Sequence, residues 1–264
     1  MTFQVALIGS DGLVVGSDRK ITNRATRTGD AIPYAQFEER TKFFKSTDES
    51  VICTFIGSAE AQNIAREIVE RGDPTLSENS WQDYLHLLAQ SSSPRTPDEL
   101  IVVRKAHITG VVRMVLGSGA FRIESHYCGG AIVPACFLTE HFWTKKPVNV
   151  MRKLALLTLD FGAREAPSGV GGGFDLLILT ESSGVKWENY EPNHDRVLML
   201  RKAFDQAINS VLELSTQEQA ESMIAIVADM NLPPEPGSPQ LKDYATWEEF
   251  RDAGAVFLRK DKGE

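Results

Sequence analysis

Phe3, Val5 and Leu7 alternate with Gln4 and Ala6, Ser10-Asp11-Gly12 follows as a turn, and residues 13–17 form a second apolar run. An alternating run and an apolar run on either side of a glycine turn together predict a β-hairpin at the start of the chain. Residues 21–40 are polar and carry no clear period. Lys42-Phe43-Phe44 and residues 51–55 restore two short strand patterns around a turn at Asp48-Glu49-Ser50. Beyond Gly57, the residues Ala61, Ile64, Ala65, Ile68 and Val69 share one helical face, with Gly72 and Asp73-Pro74 as a stop, and Trp81, Tyr84, Leu85 and Leu88 form a second helical stripe.

Short strand patterns return at 101–103, 111–116 and 121–125, and a helix is predicted over about 149–163, where Val150, Leu154, Leu157 and Phe161 fall on one face. A glycine-rich run at 169–173 leads into a strand at 174–180, and Glu181-Ser182-Ser183-Gly184 turns the chain into another at 185–187. From His194 onward, Leu200, Ala203, Phe204, Ala207, Ile208, Val211 and Leu212 make the cleanest amphipathic helix, and Ser215 with Glu218 forms a capping box for one more. Residues 232–264 have the composition of a loop and a peripheral arm. The expected division is a domain over 1–214 and a C-terminal helical extension and tail over 215–264. Strand blocks separated by helix pairs suit a layered α+β sandwich with two antiparallel sheets inside and helices outside.

The chain of 264 residues, 42% of them hydrophobic, has enough apolar material for one substantial core. A net charge of −8 without any Lys/Arg cluster argues against nucleic acid or an anionic membrane as a partner. The odd count of three cysteines, Cys53, Cys128 and Cys136, does not read as a disulfide framework, and the opening residues lack the form of a signal peptide, so the expected location is the cytoplasm. No cofactor and no metal is expected. The glycines of 169–173 lack a Gly-Lys-Ser/Thr ending and precede a strand, so they are not a phosphate loop, and His126 with Cys128 is too small a set for zinc. No Gly-x-Ser-x-Gly elbow occurs.

Four positions stand at element boundaries: Thr2 opens the first strand, Asp18 closes its hairpin partner, Lys42 opens the third, and Gly57 sits between the fourth strand and the first helix. The segments around them (Thr2-Phe-Gln-Val-Ala-Leu, Asp11-Gly-Leu-Val-Val-Gly-Ser-Asp18-Arg, Lys42-Phe-Phe-Lys and Cys53-Thr-Phe-Ile-Gly-Ser-Ala-Glu-Ala-Gln) resemble, in order, the first four strands and first helix of proteasome β subunits. Gly171-Gly-Gly-Phe-Asp-Leu-Leu-Ile-Leu-Thr with Gly184-Val-Lys-Trp resembles the late hairpin of that family. The resemblance spans roughly residues 2–212, is strongest over the first 65, and is interrupted within 21–40.

The resemblance implies a four-layer αββα sandwich of the N-terminal-nucleophile (Ntn) hydrolase type and a threonine peptidase working inside a homo-oligomeric ring. Peptide or protein would be the substrate, and an ATP-dependent unfoldase a further partner. It implies Thr2 as nucleophile once Met1 is removed, Asp18 as orienting carboxylate, Lys42 as the charge that assists proton transfer, and the Gly57 N–H as oxyanion donor. The chemistry is self-consistent: a hydroxyl needs a base within reach, and a free α-amine with a pKa of roughly 7.7 to 8.0 supplies one. Lys20 and Lys45 are the competing lysines. The chain departs from the family at Cys128-Gly-Gly-Ala, where a Gly-Ser-Gly-Ser turn is usual, and at Glu165-Ala-Pro-Ser168-Gly, where Asp-x-x-Ser-Gly is usual. A noncatalytic subunit of the same fold and an amidase for a small molecule are the alternatives.

Overall fold

The structure is a computed structural model that describes residues 2–24, 35–92, 98–130, 133–167 and 169–211. In chain order the elements are β1 (Gln4–Ile8), β2 (Gly12–Asp18), β3 (Lys20–Arg24), β4 (Ala35–Glu39), β5 (Phe43–Lys45), β6 (Val51–Ile56), α1 (Ala59–Arg71) and α2 (Glu78–Ser91). They continue as β7 (Glu99–Arg104), β8 (Val111–Val115), β9 (Gly119–Ile123), β10 (His126–Gly129), α3 (Val133–Phe142), α4 (Val148–Glu165), β11 (Phe174–Thr180), β12 (Gly184–Tyr190) and α5 (Asp195–Val211). The capping box at Ser215 and the expected tail over 215–264 lie outside the described residues.

Two antiparallel five-stranded sheets, ordered β10-β1-β2-β11-β12 and β5-β6-β7-β8-β9, make an α+β sandwich with the five helices. Strand periodicity explains how the core is divided. Along β1 and β2, Val5, Leu7 and Val14 enter one apolar cluster with α3, α4 and α5, while Ala6, Ile8, Leu13 and Val15 enter another. Along β6 and β7, Val51, Cys53, Leu100 and Val102 pack with α1 and α2, while Ile52, Ile101 and Val103 join the cluster that holds Ala6 and Leu13. That shared cluster therefore lies between the sheets, and strands such as β2 are buried along their whole length because both faces are covered.

The helix faces follow from the same logic. Ala61, Ile64, Ala65, Ile68 and Val69 are the buried residues of α1. The Ser58 side chain caps this helix by accepting from the Glu60 N–H, and the Gly72 N–H closes it on the Ile68 carbonyl. Pro147 stands at the N-cap of α4, which needs no donor at its first turn.

The polar stretch 21–40 differs from its sequence pattern. It contributes a two-stranded ribbon, β3 with β4, in the register Lys20↔Glu39 through Arg24↔Ala35. Such a ribbon has no apolar alternation to announce it. Lys42 consequently precedes the fifth strand rather than the third.

Candidate active site

The centre of the site is a carboxylate at the end of β2. Asp18 Oδ1 accepts hydrogen bonds from the Phe3 N–H at 2.8 Å and from Lys42 Nζ at 2.7 Å, and Oδ2 accepts from the Gly171 N–H at 3.2 Å. The Asp18 N–H in turn donates to the Phe3 carbonyl at 3.2 Å. Residue 3 is thus held on both its donor and its acceptor, which fixes the backbone immediately after Thr2.

Thr2 is itself buried. Its carbonyl oxygen lies so near Gly130 that a Cβ there would approach to 2.5 Å, and Gly130 has φ +114°, a conformation that L side chains rarely adopt. The turn after β10 therefore presses its backbone against Thr2. This is the Cys128-Gly-Gly-Ala segment, and Gly129 and Gly130 bring no hydroxyl to that contact.

Lys42 and Asp18 side chains are both 0% exposed. Burial pushes the Lys42 ammonium below its ordinary range, with attraction to Asp18 opposing it, and pushes the Asp18 carboxyl upward against the pull of Lys42 and of the Phe3 and Gly171 donors. Asp175, at the start of β11 and opposite Ser17 of β2, adds a second negative field to Lys42. Of the two competing lysines, Lys20 donates to the Pro167 carbonyl at 2.6 Å and Lys45 pairs with Glu49. Lys42 alone of the three carries an ion pair to Asp18.

Gly57 follows β6 and precedes the Ser58 cap of α1. Its φ is +122°, and a Cβ would stand 2.1 Å from Asp98 Oδ1, so both conformation and space demand glycine. Asp98 is fully buried and receives the Ser58 N–H at 3.1 Å together with the Ser58 hydroxyl. The loop that carries the Gly57 amide is thereby tied to the start of β7.

Several contributors have no signature of their own. Gly171 and its neighbours read as a turn, yet the Gly171 carbonyl accepts from the Arg19 and Lys20 N–H groups, the Gly173 carbonyl accepts from the Arg19 N–H, and the Gly172 carbonyl accepts from Arg19 Nε at 2.9 Å. A cleft of about 320 Å³ flanks the Lys42 segment, lined by Arg19, Arg40, Thr41, Phe43, Asp175 and Trp187 among others. Glu165 ends α4, and Ser168 lies outside the described residues. Among the described residues, no group of three or more His, Cys, Asp or Glu side chains is placed to hold a metal ion, and no helix is long and apolar enough to cross a membrane.

No family model and no curated protein matches the chain. Solved structures do. Anbu (ancestral beta-subunit) from Yersinia bercovieri aligns with TM-score 0.60 and 14% identity, over 80% of this chain and 97% of that one. Anbu from Hyphomicrobium sp. strain MC1 aligns with TM-score 0.58 and 15% identity, over 81% and 98%. A chain from the helical assembly of the Anbu complex of Pseudomonas aeruginosa aligns with TM-score 0.57 and 15% identity, over 80% and 95%. These matches correct the resemblance to proteasome β subunits: the likeness found runs to Anbu proteins, at identities that carry the fold alone. In its fold, this chain is similar to the Anbu structures.

Proposed function

We propose that the chain is an Anbu-like Ntn hydrolase with the four-layer αββα arrangement, cleaving peptide bonds with Thr2 as nucleophile inside a homo-oligomer. The observation that carries this reading is the buried Lys42–Asp18 pair, whose carboxylate also grips the peptide group after Thr2. A buried ion pair is an expensive feature, because desolvating two charges costs several kcal/mol per ion before their attraction offsets it. A purely structural strand end has no need of one.

In this reading Met1 is removed, and the free amine of Thr2 takes the proton of its own hydroxyl as that oxygen attacks the scissile carbonyl. Lys42 lowers the basicity of the amine through its charge, so that more of it is neutral near pH 7. Asp18 holds Lys42 and the Phe3 amide in register. The Gly57 N–H donates to the oxyanion that develops on the substrate carbonyl. Self-association follows the Anbu complex of Pseudomonas aeruginosa, which forms a helical assembly.

The deciding experiment is intact-protein mass spectrometry together with peptidase assays on Thr2→Ala and Thr2→Ser. A chain lacking Met1, inactive as Thr2→Ala and partly active as Thr2→Ser, is the expected result. Retained Met1, or hydrolysis undiminished in Thr2→Ala, overturns the mechanism. One observation favours a noncatalytic assembly subunit instead: Gly129 and Gly130, which form the turn against Thr2, carry no hydroxyl of their own. A processed, assembled and inactive protein is the signature of that second reading.

A further inference from the structure

The cleft beside the Lys42 segment has walls of two kinds. Phe43 on β5 and Trp187 on β12 meet edge to face, with ring centroids 5.3 Å apart and ring planes at 77°. Each of these strands is an edge of its sheet, so the aromatic pair joins the two sheet edges. Charged groups stand around the rings, and their partners decide what the cleft can hold.

Most of those charges are answered within the protein. Asp175 is buried; Arg19 Nε lies 3.9 Å from its Oδ1, and the Asn189 amide nitrogen, in the orientation its neighbours require, donates to the same oxygen at 3.2 Å. Arg19 is held further by the Gly172 carbonyl and the Glu191 carboxylate. Lys45 pairs with Glu49 and lies 5.3 Å over the Trp187 ring, whose Nε1 donates to Glu49 at 3.2 Å. Arg40 differs. Its backbone N–H donates to the Arg19 carbonyl at 3.0 Å, which fixes the main chain at the cleft wall, yet its exposed guanidinium has no hydrogen bond, ion pair or ring contact among the described residues.

We propose that this cleft is a binding site for a carboxylate with an apolar body, the acid pairing with Arg40 and the body lying against Phe43 and Trp187. The guanidinium fork matches a carboxylate with two parallel hydrogen bonds, and aromatic walls supply the apolar area. A cleft of about 320 Å³ is at the small end of ligand sites. It suits one acylated amino-acid residue. A ligand with several negative charges fits poorly, because one uncommitted cation faces a site that also holds the Asp175 carboxylate.

The location ties occupancy to the proposed catalytic segment. Arg40, Thr41 and Phe43 line the cleft and bracket Lys42 in the chain, so an occupant rests on the backbone that carries that ammonium. Where the chain cleaves peptide bonds, each cleavage releases a carboxylate of this class. The binding inference does not depend on that cleavage, and its test measures no turnover.

The test titrates the full chain with N-acetyl-phenylalanine and follows the indole N–H signals by NMR, the Trp187 signal being assigned by its loss in Trp187→Phe. The expected result is a saturating shift of the Trp187 signal with the acid and none with the neutral N-acetyl-phenylalaninamide. Arg40→Gln is expected to weaken the acid about tenfold or more, the loss of one charge-assisted pair. Arg40 is exposed and its backbone bond to Arg19 survives the change, so the variant keeps the fold. A tripeptide ending in phenylalanine then tells the source: it binds as tightly as the small acid where the occupant is a peptide end and more weakly where it is a free acid, and either result supports the site. Equal shifts from acid and amide, wild-type affinity in Arg40→Gln, or a Trp187 signal that stays still at millimolar acid overturns the proposal.

Discussion

Lys42 and Asp18 share a hydrogen bond of 2.7 Å in complete seclusion from solvent, across 24 residues of chain. Removing one partner strands a charge in a low-dielectric site. Lys42→Ala is expected to cost about 3–5 kcal/mol of stability, as read by denaturant unfolding, and to abolish peptidase activity. The double variant Lys42→Met with Asp18→Asn should recover much of the stability and none of the activity. Lys20→Ala and Lys45→Ala, whose partners lie elsewhere, are expected to retain most of the activity.

Gly57 occupies a conformation and a space that no other residue fits, with Asp98 Oδ1 standing 2.1 Å from any added Cβ. Gly57→Ala must move the Asp98 carboxylate, which also holds Ser58 at the start of α1. The expected outcome is a loss of about 2 kcal/mol or more, since strained backbone costs of order 1–3 kcal/mol per residue, with peptidase activity falling by more than the folded fraction does. Wild-type stability in this variant would remove the strain argument.

Phe3 is fully buried, and its ring packs against Gly162 of α4, where a Cβ would come within 2.8 Å of it. Phe3→Ala is expected to destabilise by about 3–5 kcal/mol through the cavity it leaves. Because the Phe3 amide is the group that Asp18 holds, amide exchange at residue 3 should accelerate more than exchange along β11.

Asp48 in the β5–β6 turn is held down to about 2 from an ordinary 3.8, chiefly by the Ser46 hydroxyl and then by the Ser50 N–H and hydroxyl. Its folded pKa is depressed, so its contribution to stability is complete above the ordinary value and is lost as pH falls from 3.8 through about 2. A carboxyl carbon NMR titration should give a midpoint near the lower figure for Asp48. A midpoint at the ordinary value would show that the serine contacts do not persist in solution.

Legibility in the sequence tracked burial. The α1 stripe of Ala61, Ile64, Ala65, Ile68 and Val69 is also its buried face, because a helix packed on a sheet must place its apolar residues at a 3.6-residue period. The ribbon β3–β4 carries no such constraint, and its pairing is invisible in Thr22, Asn23 or Gln36 taken as types. The four-residue strand β10 is too short for a period to show. At the site, Thr2, Asp18, Lys42 and Gly57 stood at element ends, but the pairing of Asp18 with Lys42, and not with Lys20 or Lys45, depends on where three side chains converge. Asp175 and the Gly171 amide are contributed by a distant segment, and local pattern has no means of joining them to residue 18.

The glycine run 171–173 has a consequence for the birth of the molecule. Its amide and carbonyls bind Asp18, Arg19 and Lys20 across some 150 positions of chain, since Gly171 and Asp18 are 153 apart. Contacts of such long range form only after a costly loop is closed, which places them late in folding. During synthesis, the first 45 residues leave the ribosome long before β11, and the strand that completes the flank of β2 is not yet there to pair. The carboxylate that grips the amide after Thr2 therefore acquires its full set of donors only once most of the chain has emerged, and a nascent or truncated product ending before residue 171 carries Thr2, Asp18 and Lys42 without the backbone that locks them.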